Sequence, residues 1–124
     1  MSHNASGTVN YSTSSDERLK QDIELSTDTD VIDNLKVHKF TWKSDNLEDI
    51  GLFAQEAYLI KPTAVGVGTD ELTEDGSLKT PWSVDYSKFV PDLIVYSQQL
   101  KKQLEELKAI VDAQAVEIEA LKSK

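Results

Sequence analysis

From Val90 to Leu121 apolar residues recur at every third and fourth position without a break. Set out in heptads, the a positions are Val90, Ser97, Leu104, Val111 and Ile118, and the d positions are Leu93, Leu100, Leu107, Gln114 and Leu121. Eight of these ten are apolar over four heptads, which is the seam of a coiled coil. One helix over residues 87–124 would be about 57 Å long at its rise of 1.5 Å per residue. A head built from the remaining 86 residues cannot cover that length, so the stripe has to be buried against other copies of the chain. Ile94 and Ala115 at e, with Tyr96 and Ile110 at g, widen the stripe, and extra width favours more than two strands. Gln114 is a polar core position suited to fixing register. The expected assembly is a parallel homotrimer; a helix folded back on its own head, or an antiparallel pair, is the alternative.

Charge separates this helix from the rest. From Ser87 onward six acids and six lysines cancel, so the whole net charge of −9 lies in residues 1–86. An acidic head with no basic patch repels nucleic acid and anionic membranes, and neither is expected as a partner. No stretch approaches 18 apolar residues, and no membrane span or signal peptide is read. The absence of cysteine excludes disulfides and thiolate metal sites. The acids are scattered without ligand spacing, so no metal or other cofactor is expected.

Ahead of the helix the pattern changes every few residues. Residues 1–14 are rich in Ser, Thr, Asn and Gly and read as an extended end. Residues 29–35 suit a short helix with Val31, Ile32 and Leu35 on one face. Residues 36–43 alternate as a strand, with His38, Phe40 and Trp42 on one side. Residues 44–48 form a polar turn. Residues 50–60 (IGLFAQEAYLI) read as one helix, capped by Asp49 or Asn46 and ended by Pro62. Residues 64–68 and 78–84 are short strands joined through Asp75-Gly76. The fold class is therefore α+β: a small mixed head over 15–86, then a long helix over 87–124.

Enzyme signals are few. His38 lies in a strand pattern, and Gly66-Val67-Gly68 is too short for a phosphate loop. Ser15 and Lys20, five residues apart, could form a nucleophile and its base, because a serine hydroxyl needs a proton acceptor and an uncharged lysine amine can serve. Spacing alone says little here, since both residue types are common in solvated loops.

The stretch Ser15-Asp16-Glu17-Arg18-Leu19-Lys20-Gln21-Asp22-Ile23 resembles the opening signature of the C-terminal intramolecular chaperone domains of phage tail spikes, tail fibres and neck appendages, the S74 peptidase family. Val37 to Trp42, Gly51-Leu52-Phe53-Ala54-Gln55-Glu56, and Val84-Asp85-Tyr86 before a heptad helix follow in the family's order. The likeness runs over about residues 14–124; Phe53 and the run Lys61-Pro62-Thr63-Ala64-Val65 depart from the usual pattern.

The resemblance implies a domain that trimerises and guides folding of the fibre domain ahead of it in the same polypeptide. The domain would then cut itself off between Ser14 and Ser15, with Ser15 as nucleophile and Lys20 as base. Asp16 and Gln55 are candidates for supporting the site, and Arg18 with Asp22 for a structural pair. It further implies a viral structural precursor assembled in the host cytoplasm, its chaperone released from the mature virion. A permanent, non-catalytic trimerisation module is the alternative.

Overall fold

The computed structural model describes residues 2–3, 9–10 and 14–123. Two short strands, β1 (Ser2–His3) and β2 (Val9–Asn10), pair antiparallel. The rest of the expectation for residues 1–13 lies outside the described residues.

The head begins with a 3-10 turn at Glu17–Leu19, followed by α1 (Asp30–Asn34). Strands β3 (His38–Thr41) and β4 (Glu48–Gly51) form an antiparallel hairpin in which Phe40 pairs with Asp49. Helix α2 (Ala54–Ile60) follows, then a 3-10 turn over Pro62–Ala64. Strands β5 (Val65–Gly66) and β6 (Ser83–Val84) close a second hairpin. Its long arm is held by a Leu72–Leu78 bridge and turns at Gly76, whose φ of +86° suits a residue without a side chain. A last 3-10 turn, Tyr86–Phe89, runs straight into α3 (Val90–Lys122).

The long helix and the strand at 38–41 stand where the periodicity put them. The expectation of one helix over 50–60 is corrected. Its first two residues belong to β4, the chain is extended through Phe53, and the helix begins at Ala54 without a side-chain cap. Neither proposed cap serves: Asn46 takes φ +60° in the hairpin turn, and Asp49 accepts a hydrogen bond from Trp42 Nε1 at 3.2 Å. The run IGLFAQEAYLI carries a helical period, but pairing of Ile50 with Lys39 across the hairpin overrides it.

The core of the head is small. Ala57, Ala64 and Phe89 are its buried apolar residues, with Val31, Leu35, Leu52, Val65 and Val84 packed around them. Phe89, at the root of α3, thereby joins the helix to the head. A second tie is ionic. Lys61 Nζ donates to Asp92 Oδ2 at 2.6 Å and to the Lys88 carbonyl at 2.7 Å, and stands 5.8 Å from the Phe89 ring centroid.

Beyond Gln99 every described residue of α3 is exposed, and no residue of the helix is fully buried. The chain exposes 10933 Å² in total. A compact monomer of 13.8 kDa would expose roughly 6,600 Å². Leu100, Leu104, Leu107, Val111, Ile118 and Leu121 all lie more than half open to solvent. Burying such a stripe is the dominant favourable term open to this chain.

Candidate functional site: the Ser15–Lys20 turn

Ser15 and Lys20 meet because the residues between them make one tight turn. Asp16 is extended (φ −69°, ψ 127°) and caps the 3-10 turn Glu17–Leu19 by accepting from the Arg18 amide at 2.9 Å. The Leu19 amide donates to the Asp16 carbonyl and the Lys20 amide to the Glu17 carbonyl, each at 3.0 Å. The chain is thereby reversed, and Lys20 Nζ reaches Ser15 Oγ at 2.6 Å. Both residues are exposed.

Arg18 completes the turn with its guanidinium. Nε stands 3.1 Å from both Asp16 oxygens, and Nη2 donates to Oδ2 at 2.7 Å. This contact with Arg18 holds the Asp16 carboxyl below its ordinary value and raises the arginine's further. The expected Arg18–Asp22 pair is therefore corrected to Arg18–Asp16: a fork two residues away closes within the turn, whereas Asp22 lies beyond it, past the extended Lys20. Asp16 accordingly shapes the turn, with both oxygens turned to Arg18 rather than to Ser15.

Gln55 is exposed on α2, and among the described residues no hydrogen bond links it to Ser15 or Lys20. It lies instead on the rim of an open groove between the two hairpins, lined by Phe40, Trp42, Phe53, Trp82 and Tyr86. Phe53, the departure noted above, stacks on His38 with centroids 4.0 Å apart and meets Phe40 edge-on. His38 Nε2 and Glu56 Oε1 stand 2.5 Å apart. These cross-element contacts were invisible in the sequence; the one available signal was the aromatic alternation His38, Phe40, Trp42. Among the described residues no three His, Asp or Glu side chains converge as a metal site. No helix of the described residues is long and apolar enough to cross a membrane.

The Ser15–Lys20 contact thus stands at the start of a small α+β head with a minimal core, ahead of a long unburied helix. Residues 15–66 match the family model of Peptidase_S74, described as a chaperone of endosialidase. The matched segment opens on Ser15 itself and runs through β5, so this part of the head is similar to the S74 chaperone family. No curated protein matches the chain.

Proposed function

We propose that this chain is a self-releasing trimerisation chaperone of a viral fibre or appendage. The α3 helices gather three copies, the heads assist folding of the fibre domain ahead of them, and each chain then breaks between Ser14 and Ser15. The observation that carries the reading is the 2.6 Å approach of Lys20 Nζ to Ser15 Oγ at the first residue of the matched segment.

The chemistry balances within one turn. Uncharged Lys20 takes the hydroxyl proton as Ser15 Oγ attacks the Ser14 carbonyl carbon. The peptide C–N bond breaks, and the proton passes to the departing Ser15 nitrogen. This leaves an ester between the Ser14 acyl group and Ser15 Oγ. Water hydrolyses the ester, releasing a Ser14 carboxylate and a new amino terminus at Ser15. The attack is intramolecular, so proximity lowers its barrier. The base must be uncharged, and removing an amine from water favours that form. Assembly, which would cover the turn, is therefore the trigger for cutting.

The exposure of both residues favours a second reading, a permanent trimerisation module in which Ser15 is inert. Mass spectrometry of freshly expressed protein separates the two. Loss of residues 1–14 from wild type, but not from Ser15→Ala, supports cleavage. A confirmed trimer that stays full length at neutral pH supports the permanent module, and a Ser15→Ala variant still cut after Ser14 ends the dyad reading.

A further inference from the structure

The segment Gln21 to Leu25, just after the 3-10 turn, belongs to no helix or sheet. Leu19 is 76% exposed, Ile23 93% and Leu25 92%. Among the described residues no backbone amide of residues 21–27 bonds another backbone group. Asp22 and Glu24 alternate with Ile23 and Leu25, which gives the segment one acidic and one apolar face. A segment outside helix and sheet, whose amides have no backbone partner among the described residues, is free to pair as a strand with an open sheet edge.

The β3 edge offers a complement. β3 bonds only β4. The Trp42 amide donates to the Leu47 carbonyl, so the alternation of an antiparallel ladder turns the backbone groups of His38 and Phe40 toward β4. Those of Lys39 and Thr41 point the other way, and both residues are exposed. Residues 36–43 carry Lys36, Lys39 and Lys43 with no acid, against a head that is otherwise strongly acidic. Lys39 and Lys43 share one face of the strand, and His38 and Phe40 the other. The charge and the period both match the loose segment: Asp22 and Glu24 would lie beside the lysines, while Ile23 and Leu25 extend the aromatic face.

We propose that residues 21–25 of one copy add as a third strand to the open β3 edge of a neighbouring copy in the assembly. The occupant is another copy because Ile23 and Leu25 are almost wholly exposed on the lone chain, while Val31 and Leu35 just after them are fastened to the core. The large accessible surface of the lone chain calls for burial of the same kind. Docking would cover Leu19 and dehydrate Lys20 beside it, so each cutting site would be completed by its neighbour. The inference rests on the assembly proposed above and specifies what that assembly does at the turn.

The test uses the full chain in the Ser15→Ala background, which has no native cysteine. One form carries Glu24→Cys, and a second, longer by a tag, carries Lys39→Cys. Co-expressed copies are treated with a short bis-maleimide. A cross-linked species containing one of each form, appearing in the mixture at a mass neither form alone produces, is the expected result. Adding Ile23→Asp with Leu25→Asp should abolish that species while trimer mass persists. A trimer lacking the mixed species, or a chain with both cysteines that links only within itself, overturns the docking and leaves the chaperone reading intact. A monomer by mass overturns both.

Discussion

The hydroxyl of Tyr86 stands 2.7 Å from the point where a Cβ on Gly51 would lie. The same hydroxyl accepts a hydrogen bond from the Leu52 amide at 2.9 Å. Residues 34 positions apart are locked together at the end of β4, just where the chain leaves the hairpin for α2. Gly51→Ala should therefore push Tyr86 aside and destabilise the head by about 1–3 kcal/mol. Tyr86→Phe, which removes only the acceptor, should cost about 1 kcal/mol. Thermal unfolding of both variants in the Ser15→Ala background checks the order.

Lys61 and Asp92 hold the helix to the head with side chains only 25% and 19% exposed. Lys61→Met keeps most of the stem but leaves Asp92 and the Lys88 carbonyl without their donor. A loss of roughly 1–3 kcal/mol is expected. Asp92→Asn should cost less, because an amide oxygen can still accept. Urea denaturation followed by circular dichroism measures both.

The turn before Lys20 should depend on pH through Asp16. Its folded value is lowered by Arg18, so its contribution is complete above the ordinary aspartate range near pH ~3.9. That contribution fades as pH falls through the lowered folded value. Carbon-detected NMR titration should place the Asp16 midpoint below that of a free aspartate. Arg18→Gln should return it upward, and an unchanged midpoint would show that the fork does not persist in solution.

Lys20→Arg keeps the charge and length but supplies a group that does not give up its proton. Removal of Ser14 and all before it should slow by at least about a hundredfold, the usual scale for losing a general base. Trimer mass should be unchanged. Arginine supporting wild-type cutting would remove Lys20 from the reaction.

Leu104→Asp places a charge in the seam of α3. Sedimentation should shift from trimer to monomer, and cutting after Ser14 should stop with it. Gln114→Leu should raise the melting temperature, since it replaces the polar core position with an apolar one. Monomeric Leu104→Asp protein that still cuts would separate cleavage from assembly.

Periodicity alone determined the long helix, because repeats of three and four over four heptads have one low-energy outcome, and the seam residues are those left open on α3. The Ser15–Lys20 pair was named only through the likeness of its stretch to a known signature, since spacing alone says little; the 3-10 turn that brings the two side chains together belongs to the structure. The split of residues 50–60 into strand and helix was not legible. Its cause lies in Tyr86 and in the β3 partner, both distant in sequence, and a helical period carries no record of either. The same holds for Lys61 with Asp92 and for His38 with Glu56 and Phe53. Local propensity and short-range pairing follow from sequence order, whereas contacts across elements exist only once the core of Ala57, Ala64 and Phe89 has brought those elements together.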